Sequence, residues 1–162
     1  MPVVVVTDSS CCLPSEIVEH YGIGQVPLHV AFDGTDFREN IDEIPPSLVA
    51  TPGVTTAGAT PADLEAAFAK ALTESKGDGV VAVHMSRKLS STWSAARVVA
   101  DRYDGAVRVV DSRSVGLAVG FTVLAAAQAA ARGADRDGVY EAAVREAATI
   151  EAMICVSDLD HL

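Results

Sequence analysis

The chain has 162 residues and a mass of 16.8 kDa, the length of one ordinary domain, and can bury roughly 70% of its unfolded surface without disulfides or a metal. Hydrophobic residues at 49% and charged residues at 21% exclude disorder, and only 5% aromatics means a core of Val, Ala, Leu and Ile. The net charge of −10 excludes a general nucleic-acid binder, which must displace counterions with Lys and Arg, and disfavours an anionic lipid surface.

In chain order, Val3–Val6 is a continuous β-branched run, the mark of a strand covered on both faces, and it stops at Thr7-Asp8-Ser9-Ser10. The apolar run is too short for a signal peptide. Pro14 and Glu16 open a helix ending at Tyr21-Gly22. Residues Gln25–Phe32 read as a second strand and Asp33-Gly34 as a turn. Pro45-Pro46 starts a short helix, and Gly53–Gly58 is a loop or short extended piece. Thr60 caps a helix with Pro61 at its first position, and Leu64, Ala67, Phe68 and Leu72 recur at helical spacing.

Gly79–His84 is the next strand, followed by a loop over Ser86–Ser90 and a helix over Ser91–Tyr103. Ala106–Val110 is a strand running into Asp111-Ser112. A buried Ala-rich helix covers Ser114–Arg132; its apolar stretch is a residue or two short of a membrane span. Asp135 or Asp137 starts another helix to about Thr149, and Ala152–Val156 reads as a final strand. This alternation predicts an α/β domain: a parallel sheet in three layers, with helices on both faces. The stop soon after that last strand reads as a cut between two domains.

Open parallel sheets bind ligands beyond the carboxyl ends of their strands. Three strands here end in hydroxyl or acidic segments, which places Asp8, Ser90 and Asp111 on one rim. Ser90, Ser91 and Thr92 fall where a helix starts, so they either cap it or present hydroxyls and free N–H groups to a small anion. The sequence lacks the Gly-Lys-Ser of a P-loop, a Gly-x-Gly-x-x-Gly and a Gly-x-Ser-x-Gly elbow. His20, His29, His84 and His161 have no ligand spacing, so no metal or other cofactor is expected. His84 is placed to act as a base for a serine, or is an ordinary buried histidine. Cys11, Cys12 and Cys155 suit a reducing compartment, hence the cytoplasm; Cys11 and Cys12 are a stabilised thiolate pair or small apolar fillers. Arg87-Lys88 is a solvated pair or a local positive patch.

Taken together, these segments resemble the DegV family of bacterial fatty-acid-binding proteins. The family opens with an apolar strand into Thr-Asp-Ser-Ser, as Val3–Ser10 does, then carries a Val-Pro-Leu strand (Val26-Pro27-Leu28) and an Asp-Gly turn (Asp33-Gly34). Its Thr-Thr-Ser-Gln-Pro-Ser-Pro loop stands here as Thr55-Thr56-Ala57-Gly58-Ala59-Thr60-Pro61. Its Ser-x-x-Leu-Ser-Gly-Thr-Tyr-x-Ser-Ala appears as Ser86-Arg87-Lys88-Leu89-Ser90-Ser91-Thr92-Trp93-Ser94-Ala95-Ala96, and Val110-Asp111-Ser112 matches a further element. The resemblance makes residues 1–162 an N-terminal domain truncated before a second one.

It also implies a carrier rather than an enzyme. A long-chain fatty acid is buried between two domains, its carboxylate is held by Thr56 (or Thr55) and Ser90, and it is presented to a separate fatty acid kinase that forms the acyl phosphate for phospholipid metabolism. Asp8, Ser9, Ser91 and Thr92 complete the expected ligand-binding set. The competing expectation is a hydrolase or acyl transferase built on Ser90, His84 and an aspartate, Asp8 or Asp111.

Overall fold

Four strands pair in parallel, in the order β2-β1-β6-β7, and set the frame of the molecule. The computed structural model describes residues 3–153 and 155. The strands are β1 (Val4–Asp8), β2 (Gly24–Val26), β6 (Val80–His84) and β7 (Val107–Asp111). All five residues of β6 are buried, which is why it reads Val-Val-Ala-Val-His without polar alternation. Helices α1 (Ser15–Tyr21), α2 (Pro61–Ser75), α3 (Thr92–Ala100), α4 (Leu117–Ala131) and α5 (Arg136–Thr149) cover both faces.

Side chains alternate across the sheet and divide the core in two. Val6, Val80, Ala82, Val107 and Val109 pack with Leu64, Phe68, Ala96 and Val99 of α2 and α3. Val5, Val81, Val83 and Val110 pack with Val119, Val123, Val139 and Ala143 of α4 and α5. The expected three-layer α/β domain is present.

Several boundaries differ from the sequence reading, each for a local reason. The single strand expected over Gln25–Phe32 is two strands in two sheets. Pro27 has no N–H for a ladder, so β2 ends at Val26 and the Leu28 N–H instead donates to Ser9 Oγ at 2.9 Å. β3 (His29–Phe32) then joins β4 (Thr35–Arg38) and β5 (Thr55–Ala57) in an antiparallel sheet of order β4-β3-β5. The helix expected over Ser91–Tyr103 is α3 followed by a 3-10 turn over Asp101–Tyr103. The helix expected from Ser114 begins only at Leu117, because Ser114 still pairs with the β6–α3 loop: Ser86 N–H donates to its carbonyl at 2.8 Å. Of the strand expected at Ala152–Val156, Ala152, Met153 and Cys155 are not in a strand, and residues 154 and 156 lie outside the described residues.

Gly120 explains how α4 approaches the β1–α1 loop so closely. A Cβ there would lie 2.5 Å from the Cys11 carbonyl and 3.0 Å from Leu13. Gly120→Ala is therefore expected to destabilise the domain by about 1–3 kcal/mol despite alanine's better helix propensity. A denaturant midpoint equal to or above wild type would contradict this close contact.

Candidate functional site

The carboxyl rim of the parallel sheet is where polar side chains gather, as expected for this architecture. Asp8 ends β1, Asp111 ends β7, and Ser90 lies in the loop after β6, so the three share the rim. The antiparallel sheet stands beside it. Between them lies a groove of about 740 Å³ whose walls include Ser9, Thr56 and Ser90 together with Leu28, Ile44, Leu89 and Val115.

The β6–α3 loop is held in shape by its own hydroxyls. Ser90 Oγ accepts from the Thr92 N–H at 3.2 Å and pairs with Thr92 Oγ1 at 2.9 Å. Thr92 Oγ1 in turn accepts the Ala59 N–H at 3.1 Å, stitching this loop to the end of the β5 segment. Either hydroxyl of this pair can be the donor; where Thr92 donates, the Ser90 proton is not used within the pair. Gly58 permits the approach: a Cβ there would lie 2.7 Å from Thr92 Oγ1 and about 3 Å from the Ser90 and Ser91 hydroxyls. Gly58→Ala should push this loop away from β5 and lower thermal stability; an unchanged melting temperature and an unchanged loop geometry in a crystal structure would contradict that.

The remaining residues singled out from the sequence are placed differently. Thr55 and Ser91 are exposed and stand outside the groove lining, and Thr92 is buried beneath it as a brace. Ser9 lines the groove, but its hydroxyl proton goes to Glu39 Oε2 at 2.6 Å. Asp8 is fully buried. It accepts from His84 Nδ1 and the Met85 N–H, each at 3.0 Å, and from the backbone and hydroxyl of Ser10. Burial alone would raise its pKa; the His84 hydrogen bond and charge, with Ser10 and Met85, outweigh burial and hold it below the ordinary carboxylate value. Asp8 is thus an internal pin of the rim, with no oxygen turned to the groove.

His84 does not serve Ser90 as a base in this arrangement. Its Nδ1 is bonded to Asp8, and its buried Nε2 has no hydrogen-bond partner among the described residues. Asp111 is likewise engaged elsewhere, 3.3 Å from Arg87 Nε. Arg87 also lies over Trp93, 5.4 Å from its ring centre, while its side chain stays exposed to solvent as expected. Cys11 is fully buried, and desolvation pushes its thiol pKa up, which makes it a filler; Cys12 is exposed at the groove. Among the described residues, no cluster of His, Cys, Asp and Glu could hold a metal ion, and no helix is long and apolar enough to cross a membrane.

One cluster escaped the sequence reading. His29 on β3 is 7% exposed; its Nδ1 is 2.8 Å from Asp36 on β4 and its Nε2 is 3.1 Å from Asp63 on α2. Burial lowers the imidazole pKa, but the hydrogen bonds and charges of the two carboxylates more than reverse this and raise it. The usable signal was the Thr35-Asp36-Phe37-Arg38 alternation after the Asp33-Gly34 turn, which marks a hairpin and puts Asp36 within reach of His29.

The family model described as "Uncharacterised protein, DegV family" matches residues 2–162. The chain belongs to the DegV family. It is 51% identical over 162 residues to a DegV domain-containing protein of Mycobacterium tuberculosis, covering all of this chain and 58% of that one. The DegV family protein Cg2579 of Corynebacterium glutamicum superposes with a TM-score of 0.77 at 38% identity, over 91% of this chain and 49% of its own. A Thermus thermophilus DegV family protein, described by its fatty-acid binding, superposes at 0.81 with 32% identity, over 91% and 54%. DegV of Bacillus subtilis, described as a fatty acid binding protein, gives 0.76 and 30%, over 92% and 55%. The chain therefore spans about half the length of the DegV proteins it matches.

Proposed function

We propose that this chain binds a long-chain fatty acid in the groove at the sheet rim, with Thr56 and Ser90 donating hydrogen bonds to the carboxylate. The observation that carries the reading is the joining of these two hydroxyls, one on β5 and one in the loop after β6, in one groove with Leu28, Ile44, Leu89 and Val115. Such a mixture suits an apolar ligand with one polar end. A chain of about 14 methylenes gains roughly 11 kcal/mol on full burial, and association and ordering costs of about 4–15 kcal/mol offset much of that. Enclosure therefore decides affinity. In this reading the open groove is one wall of a chamber, the other wall being a second domain of the kind the longer relatives have room for. Further basic ligands to the carboxylate would come from there, since among the described residues the groove lining contains no Lys or Arg and its one histidine, His29, is held between Asp36 and Asp63.

The bound acid would be presented to a separate kinase that phosphorylates the carboxylate, with this protein as carrier and the cytoplasm as its place. No observation favours the serine-hydrolase alternative, because the buried His84 Nε2, the atom that would take the Ser90 proton, has no hydrogen-bond partner among the described residues. Mass spectrometry of organic extracts from the purified protein, expressed with the second domain that would close the chamber, tests the reading. A stoichiometric long-chain fatty acid is expected; an extract without any fatty acid, from protein that also fails to take one up on addition, would overturn it.

A further inference from the structure

We infer that His29 is a positioning residue that clamps the Thr55–Thr56 strand in place as an imidazolium held between Asp36 and Asp63. In register, His29 opens the middle strand β3 and lies opposite Ala57, the last residue of β5, and Arg38, the last residue of β4, so it stands at one end of the small sheet. Its ring reaches out of that sheet to Asp63 in the first turn of α2. Asp63 is also bonded to Thr60, the cap of α2, which stands three residues after Ala57. His29 therefore anchors the chain just after Thr56, at Ala57 through strand pairing and at Thr60 through Asp63 and the helix cap, while the Thr55 end pairs with Ala31.

Both ring nitrogens face carboxylate oxygens, and only the protonated ring can donate at both. A neutral ring would turn one lone pair onto a carboxylate. The groups around the ring are Asp36, Arg38 and Asp42 on the hairpin side and Asp63 on α2; Ala57 on β5 brings no charge. Arg38 is bidentate to Asp42, at 3.1 and 3.2 Å, which leaves Asp36 and Asp63 to His29. The sign follows: a raised imidazole pKa makes the clamp complete below the ordinary histidine value and releases it as pH rises through the higher, folded value.

The inference rests on the reading of Thr56 as a carboxylate contact, and its test separates the two. Amide hydrogen exchange of the ligand-free protein is followed between about pH 6 and about pH 9, corrected for intrinsic rates, a range spanning ordinary imidazole titration. Protection at Thr55–Ala57 is expected to fall by about tenfold across the range in wild type, as the local opening equilibrium loses a charge-assisted bond. His29→Gln should be poorly protected throughout and insensitive to pH. Imidazole NMR of wild type covers the case in which that variant fails to fold, and should show His29 titrating above its ordinary value. Protection that is independent of pH in wild type, or His29 titrating at or below the ordinary value, would overturn the clamp whether or not a fatty acid binds. Fatty-acid affinity is then measured at both ends of the range. A clamp present in exchange, with an affinity that drops at high pH in wild type only, supports the positioning role. A clamp present with affinity unchanged overturns that role while leaving fatty-acid binding intact.

Discussion

Asp8→Ala is expected to cost the domain about 3–5 kcal/mol, the largest effect of any single change considered for the rim. The substitution leaves the fully buried His84 without a partner on either ring nitrogen and strips acceptors from the Met85 N–H and Ser10. Asp8→Asn, which keeps an acceptor, should lose less. The same pair governs acid stability. Because the folded pKa of Asp8 lies below its unfolded value, its contribution is complete above the unfolded value and disappears as pH falls through the folded one. Urea titrations of wild type and both variants read this directly. A loss below about 1 kcal/mol for Asp8→Ala would show that the pair is not a pin of the rim.

Ser90→Ala and Thr56→Val should each weaken fatty-acid binding by about ten- to a hundred-fold, the loss of one hydrogen bond to a charged group at roughly 1.5–3 kcal/mol. Neither should unfold the protein, since Thr56 is exposed and Ser90 is only partly buried. The two are not equivalent structurally. Ser90 also accepts from Thr92, so Ser90→Ala will loosen the loop that Gly58 abuts, whereas Thr56→Val keeps shape and removes only the hydroxyl. If they grip the same carboxylate they share a partner, so the double variant should depart from the sum of the two single losses. Calorimetric titration of the two single variants and the double variant checks this; unchanged affinity in both single variants removes these residues from the head-group site.

The parallel sheet was legible because a strand buried on both faces leaves an unmistakable apolar run, as in Val80–His84 and Val107–Val110. The cap at Thr60 was legible for an equally local reason, a hydroxyl followed by Pro61 and Asp63. The antiparallel sheet was not. Its strands are three or four residues long and partly exposed, so β5 reads as a loop until β3 supplies a partner, and Pro27 hides a change of sheet inside one apolar stretch. At the site, hydroxyl content pointed to the right loops but could not separate roles. Ser9, Ser90 and Thr92 are chemically alike in sequence; only their hydrogen bonds make one a partner of Glu39, one a groove residue and one a brace. His29 was missed because its two carboxylates stand 7 and 34 residues away along the chain, a constellation that the fold alone assembles.

The most direct measurement is a calorimetric titration of delipidated protein, carrying the second domain that would close the chamber, with a saturated long-chain fatty acid below its micelle concentration, beside its methyl ester. The ester keeps the apolar tail and removes the charge that Thr56 and Ser90 are proposed to hold. Saturable binding of one acid per chain is expected, with the ester weaker by at least about tenfold, the scale of one lost charge-assisted hydrogen bond. Equal affinity for acid and ester, or no saturable binding of either by folded protein, would contradict the account.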